Sequence, residues 1–166
     1  MRTSPFQPKG CILFDWGDTL MRVFQEYSGP MKDWPRVEAV PGAAAALAVL
    51  HDDWLLAVAT NAADSDEADI RSALRRLDLE RWLDRVYCYK KIGFKKPSPE
   101  FFRFILDDLR LSPNRAVMVG DDFENDVLGA IRCGMQAVWL HPGEAEPSQG
   151  QGWQRIRCMD ELPGSL

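Results

Sequence analysis

The chain has 166 residues, 46% of them hydrophobic and 27% charged, with a formal net charge of −5. This length and balance argue for one globular domain with a sizeable core and against a disordered chain. The acidic surplus argues against a nucleic-acid partner, and no apolar run approaches the ~20 residues that cross a bilayer.

In chain order, MRTSPFQPKG (1–10) has no apolar stretch of signal-peptide length, so a cytoplasmic setting without a membrane partner is expected. CILF (11–14) reads as a strand. Residues 21–41 contain Gly29, Pro30, Pro35 and Pro41 with Tyr27 and Trp34, and read as an irregular flap or mini-cap, too short for a second domain. GAAAALAVLHDD (42–53) is rich in strong helix formers, and LLAVAT (55–60) reads as a strand. SDEADIRSALRRLD (65–78) has acids in its first turn and arginines later, matching the helix dipole. VYCY (86–89) is the third strand, and SPEFFRFILDDLR (98–110) is a helix with Ser98 as N-cap and Pro99 at its first position. AVMV (116–119) is a strand, DFENDVLGAIRCG (122–134) a helix stopped by Gly134, and AVWL (137–140) a fifth strand. GEAEPSQGQG (143–152) reads as a polar loop, and 143–166 as a whole as loop and tail. Most strands are continuous hydrophobes, as parallel strands covered on both faces are. Residues 1–166 are therefore expected to form a single α/β domain with helices on both faces of a parallel sheet. The cysteines (Cys11, Cys88, Cys133, Cys158) lack metal-site spacing and read as reduced thiols.

In open parallel sheets, ligands bind beyond the carboxyl ends of the strands. The first four exits carry complementary polar groups: Asp15, Asp18 and Thr19; Thr60 and Asn61; Lys90, Lys91, Lys95 and Lys96; Gly120, Asp121 and Asp122. Asp15 and Asp121 would meet at one end of the sheet, where two carboxylates resist ionising together. A hard divalent cation resolves that repulsion, and an all-oxygen donor set fits Mg²⁺ rather than zinc. Such a site can hold a carboxylate nucleophile for phosphoryl transfer, with Thr60, Asn61 and a lysine on the phosphate.

The ordered strings ILFDWGDTL, LLAVATN, GFKKPSPEFF and VMVGDDFENDVLGA resemble the four motifs of the haloacid dehalogenase (HAD) superfamily, mostly Mg²⁺-dependent phosphatases. The resemblance implies a Rossmann-like three-layer sandwich whose five-stranded sheet has the nucleophile strand in its middle. It implies Asp15 as nucleophile, Thr60 as phosphate-binding hydroxyl and Lys96 as stabilising cation. Asp121 matches the metal ligand and Asp126 the further acid of the metal shell, with Asp15 and the Gly17 carbonyl completing the Mg²⁺ set.

One position departs from the family pattern. Family phosphatases read D-x-D-x-T, and the second aspartate is the general acid and base. Here the string is Asp15-Trp16-Gly17-Asp18-Thr19. A glycine can lend a carbonyl to a metal but cannot shuttle a proton, a loss of roughly 10²–10⁴-fold that falls hardest on alkyl phosphates. Only 44 residues separate Asp15 from Thr60 and 35 separate Thr60 from Lys96, so the protein is expected to lack a large cap. The open site would be covered by 21–41, by a second subunit of a homo-oligomer, or by a macromolecular substrate.

Other charged and aromatic residues have plainer readings. Lys90, Lys91 and Lys95 read as solvated loop charges, Glu124 as a first-turn helix acid, and His51 and His141 as surface residues. Asp122 fits a helix N-terminus as well as the site, and Trp16 and Trp34 fit packing as well as a substrate wall. Two functions match the whole pattern: a Mg²⁺-dependent phosphohydrolase for a phosphorylated small molecule or macromolecule, slow or restricted to good leaving groups, or a degenerate relative that binds Mg²⁺ and a phosphorylated ligand without turnover. A phosphorelay receiver is excluded by order, because Lys96 precedes the last acidic cluster.

Overall fold

A computed structural model describes residues 7–145 and 147–166; the expectations for residues 1–6 and for Glu146 lie outside them. In chain order the regular elements are β1 (Cys11–Phe14), α1 (Ala43–Leu50), β2 (Leu55–Thr60), α2 (Glu67–Arg75), β3 (Arg85–Cys88), the single turn α3 (Tyr89–Ile92), α4 (Pro99–Leu109), β4 (Ala116–Gly120), α5 (Gly129–Arg132), β5 (Gln136–Leu140), β6 (Gln149–Gly150) and β7 (Trp153–Ile156). A wide π-type turn, Phe123–Leu128, leads into α5.

Among the described residues the sheet has seven strands rather than the expected five, in the order β3-β2-β1-β4-β5-β7-β6. All neighbours are parallel except the β6–β7 pair. The expected tail is thus corrected: 149–156 is a short hairpin whose second strand extends the parallel sheet beyond β5. β1 remains an interior strand, flanked by β2 and β4, although the two added strands shift the centre of the sheet to β4.

Side-chain alternation along the strands builds two cores. Ile12, Phe14, Leu56, Val58, Val117 and Val119 face α1 and α2, where Leu47, Ile70 and Leu74 meet them. Cys11, Leu13, Ala57, Ala59 and Met118 face α4 and α5, where Phe101, Phe102, Ile105 and Ala130 meet them. Each fully buried large aliphatic or aromatic side chain stabilises the fold by about 1.5–3 kcal/mol, so both layers hold the sheet firmly. α2 starts in a capping box, with the Asp66 carboxylate accepting from the Asp69 amide and Asp69 returning the contact. Ser98 does precede Pro99 at the start of α4, but its hydroxyl donates to Glu100 and caps no backbone amide. The chain leaves α5 through Gly134 at φ +78°, a left-handed turn that suits glycine.

The described residues include no large cap. Residues 21–41 form a flap that leaves and rejoins the body through the Met21–Ala39 bridge and the Val40 amide on the Leu20 carbonyl (3.0 Å). Its far end is tied to α2: the Arg76 guanidinium donates to the carbonyls of Lys32 (3.0 Å) and Trp34 (2.7 Å), and Lys32 pairs with Asp69 (2.7 Å). Phe24, Tyr27 and Trp34 pack ring against ring inside the flap. His51 and His141 are not bare surface residues, since each contacts a tryptophan ring, Trp82 and Trp139 respectively. Among the described residues, no helix is long and apolar enough to cross a membrane.

Candidate active site

Parallel register brings the ends of β1, β2 and β4 to one edge, since Phe14 pairs with both Val58 and Val119. The Asp15 amide is still held by the Val119 carbonyl (2.9 Å), which fixes its carboxylate at the top of the sheet. Lys96 arrives there from the loop between α3 and α4. Its ammonium donates to Asp15 Oδ1 (2.8 Å), Asp126 Oδ1 (2.7 Å) and the Ala59 carbonyl (2.7 Å), with the side chain only 2% exposed. Three acceptors satisfy all three of its N–H bonds, which makes burial of the charge tolerable. Burial disfavours the charged ammonium, but the carboxylates of Asp15 and Asp126 outweigh that cost and hold the Lys96 pKa above its ordinary value.

Asn61 fixes the backbone of this lysine. Its Oδ1 accepts from the Lys96 amide (2.7 Å) and its Nδ2 donates to the Lys96 carbonyl (3.0 Å). Both ends of the amide expected on a phosphate are therefore engaged on Lys96. The Thr60 hydroxyl oxygen accepts from the Ala62 amide (3.1 Å), which leaves its own proton available to donate.

Asp121 and Asp126 enter from the exit of β4. The Asp126 side chain folds back under the strand end, where its Oδ2 accepts from the Asp122 amide (3.1 Å). That path exists because residue 120 is glycine: a β-carbon there would lie 2.0 Å from Asp126 Oδ2. Asp121 is steadied by the Thr19 hydroxyl (3.4 Å) and by the Trp139 indole N–H on its carbonyl (3.0 Å). Asp15, Asp121 and Asp126 each offer an oxygen within 4.8 Å of the others. Burial, then the Asp15 charge, pushes Asp121 up to about 7; burial also pushes Asp126 up to about 6, against the pull of Lys96. Three crowded carboxylates, two of them resisting ionisation, form a hard oxygen donor set that fits Mg²⁺. Asp122 fits both of its readings: its carboxylate caps the following turn on the Asn125 amide (2.9 Å), and the residue lines the polar cavity beside Asp15.

Asp15 lies between two cavities. One, of about 200 Å³, is polar and lined by Asn61, Lys96, Asp121, Asp122, Asn125 and Asp126. The other, of about 290 Å³, lies under the flap between Thr60, Ala62 and Gly17 on one side and Val23, Met31 and Trp34 on the other, with Asp64 at its rim. Gly17 lines the second cavity beside Asp15, and the position of its β-carbon faces the flap. A β-carbon on Gly17 would lie 2.8 Å from Val23 Cγ2 and 3.8 Å from the Met31 methyl carbon. Asp18, at φ +55°, turns its carboxylate onto the Val23 amide (2.9 Å) and lines neither of these cavities. None of Glu26, Asp33 or Glu38 lines either cavity.

A third groove, of about 570 Å³, reaches Asp121 from the β5 and β7 side and is bordered by Arg22, His141 and Arg157. These residues were not among the sequence-derived candidates. Strand β7 was the missing signal, because the rule that ligands lie at strand exits would have pointed to Arg157 and Cys158. Val23 and Met31 carried no such signal, as they reach Gly17 only through the path of the flap.

Comparison with known proteins agrees with this geometry. Residues 11–140 match the family model described as haloacid dehalogenase-like hydrolase. A phospholysine phosphohistidine inorganic pyrophosphate phosphatase from Danio rerio is 51% identical over 53 residues, 32% of this chain and only 20% of that protein. An uncharacterized protein from Listeria monocytogenes serotype 4b superposes with a TM-score of 0.81 at 26% identity, over 95% of this chain and 96% of its own. An HAD phosphatase from Thermococcus onnurineus gives a TM-score of 0.67 at 29% identity, over 78% of this chain and 59% of its own. With the matched region spanning all four strand exits that build the site, the chain belongs to the haloacid dehalogenase-like hydrolase family.

Proposed function

We propose that the protein is a Mg²⁺-dependent phosphohydrolase in which Asp15 is the nucleophile. The observation that carries this reading is the Lys96 ammonium fixed between Asp15 and Asp126, beside a three-carboxylate cluster completed by Asp121. Asp15, Asp121 and Asp126, with the Gly17 carbonyl, would hold Mg²⁺, which when bound supplies charge neutralisation at the phosphate oxygens.

The Asp15 carboxylate oxygen attacks phosphorus while the bond from phosphorus to the leaving group breaks, its electron pair departing with that group. Lys96 orients Asp15 and offsets the charge spread over the transferring phosphoryl group, and the Thr60 hydroxyl donates to one of its oxygens. Asn61 acts through Lys96, as a positioning residue. Water then attacks phosphorus, the Asp15 carboxylate is released, and the proton passes to solvent. With glycine at position 17, no side chain there delivers a proton to the departing atom. The substrates served are therefore those whose leaving group needs none: aryl and acyl phosphates, and phosphoramidates, whose nitrogen carries its own proton. The Danio rerio relative, named for phospholysine and phosphohistidine, supports including that last class.

The test is a panel of p-nitrophenyl phosphate, acetyl phosphate, a phosphoramidate and glycerol phosphate, assayed with Mg²⁺ and with EDTA. Turnover of the activated substrates with Mg²⁺, lowered about 10³-fold or more by Asp15→Asn, is expected. No turnover of any substrate would leave the alternative, a protein that binds Mg²⁺ and a phosphorylated ligand without hydrolysing it. The observation favouring that alternative is Val23 packed where a general acid would stand.

A further inference from the structure

The cavity under the flap has a composition unlike that of a proton-donating site. Asp15, Thr60 and Asn61 stand at its inner end, and its walls are Trp16, Val23, Met31 and Trp34. The two indoles are buried, 2% and 7% exposed. Among the described residues neither an arginine nor a lysine lines it, and Asp64 lies exposed at the rim, where it accepts the Ser65 hydroxyl (3.0 Å).

The walls are built in advance. The Trp16 indole N–H donates to Met21 Sδ (3.0 Å) and that of Trp34 to the Gly29 carbonyl (2.9 Å), so neither needs a ligand as partner. Arg76 holds the Trp34 carbonyl from α2, and Tyr27 packs on the Trp34 ring at 5.6 Å. A preformed apolar pocket loses little freedom when filled. Its volume, about 290 Å³, exceeds the roughly 150 Å³ that suffices for a benzene ring in a protein interior. Asp15 and Asn61 line both cavities, so a phosphoryl group on Asp15 has the Thr60 hydroxyl on its alcove side and the carboxylate cluster on the other.

We propose that this alcove is the leaving-group site and that it selects phosphate esters of a compact aromatic alcohol over equally activated esters without a ring. The assignment rests on the phosphohydrolase reading for its chemistry, and goes beyond it in choosing among activated substrates by shape and apolarity. In the transfer step the bond from Asp15 oxygen to phosphorus forms and the bond from phosphorus to aryl oxygen breaks. The pair leaves as an aryloxide, which its ring stabilises and which takes its proton from solvent.

Two measurements test it. Binding of phenylphosphonate and of methylphosphonate, neither hydrolysable, is followed with Mg²⁺ by calorimetry. The kcat/KM ratio of p-nitrophenyl phosphate to acetyl phosphate is measured in parallel. Both are repeated for Trp34→Leu, which removes a wall, and Ala62→Leu, which fills the space while leaving Trp34 in place. Phenylphosphonate is expected to bind about tenfold or more tighter than methylphosphonate, and each variant is expected to lower both preferences several-fold. Equal binding of the two phosphonates, or preferences unchanged in Ala62→Leu, would overturn the assignment. A ring preference in binding without turnover of any ester would uphold the alcove and remove the hydrolase reading instead.

Discussion

Gly17 and Gly120 flank the same nucleophile candidate and are small for opposite reasons. At Gly120 the absent β-carbon makes room for a charge, because the Asp126 carboxylate occupies that space at 2.0 Å and carries the contact to Lys96. At Gly17 the corresponding space is closed by the apolar Val23, with Met31 behind it. One half of the cleft is thus a satisfied polar frame, and every buried side-chain donor and acceptor among the described residues has a partner. The other half is walled on the flap side by hydrocarbon and aromatic rings, Val23, Met31 and Trp34. On the proposed reading, the polar half handles the phosphate and the apolar half stands where the family's general acid would act.

Substituting the two glycines in parallel is the strongest way to break that comparison. Gly120→Ala cannot be accommodated without displacing Asp126, whose oxygen, Cγ and Cβ all crowd the new methyl group. Loss of Mg²⁺-dependent phosphate release by more than about 100-fold is expected, beyond the effect of disturbing an outer-shell partner. Gly17→Ala meets only the Val23 side chain, which lies half-buried on the flap and can move. Phosphate release within a few-fold of wild type is expected there, at a stability cost of about 1–3 kcal/mol for either variant. Urea melts of both proteins separate misfolding from the loss of the site. Equal activity losses in the two variants would mean that the halves are not distinct.

How far the cleft was legible in the sequence follows the same division. Asp15 and Asp121 stand directly beyond strand ends, so strand recognition predicts that they meet, whereas Lys96 and Asp126 lie farther along the chain and were singled out by the resemblance to the family motifs. The role of Asn61 was invisible, because its amide could equally face a ligand or the backbone of a residue 35 positions away. Strand β7 was missed because Gln154 and Arg155 break the hydrophobic run in WQRI, as befits a strand near the sheet edge whose first three residues are only half-buried. The alcove could not have been read at all. Its walls are set by tertiary contacts of the flap, such as Arg76 on the Trp34 carbonyl, which have no periodic signature.

The proton-handling half can be sharpened by restoring its acid. Gly17→Asp alone has to push Val23 aside, so it should gain little. Gly17→Asp with Val23→Ala frees the space, and a gain of up to about 10²-fold in kcat/KM for glycerol phosphate is expected, at the low end of what general acid catalysis supplies. p-Nitrophenyl phosphate, whose leaving group needs no proton, should change far less. Rates for the two substrates across the single and double variants check this. An equal gain on both substrates would show that Val23 obstructs binding and that the missing acid is not what limits turnover.

The smallest expected effect lies in stability, and it too divides the halves. Asp121 and Asp126 are raised to about 7 and about 6 in the folded protein, well above an unfolded aspartate. Between the two values the folded state binds more protons than the unfolded one, so stability falls as pH rises from about 5 to 7 in metal-free solution. The groups held low by their partners, Glu38, Glu67, Asp69 and Glu100, act in the opposite sense, but only as pH drops into the ordinary carboxylate range. Lys96, held above its ordinary value, is charged in both states across this window and adds no slope. Melting temperatures in EDTA should therefore decline by a few degrees over that interval. Mg²⁺ should remove the decline, since a bound cation favours the ionised carboxylates that rising pH produces. Asp126→Asn takes one of the two raised groups away and should flatten the metal-free slope, whereas Gly17→Ala, which touches only the apolar half, should leave it as it is. A slope that survives in Asp126→Asn, or is indifferent to Mg²⁺, would place the proton-sensitive groups outside the three-carboxylate cluster.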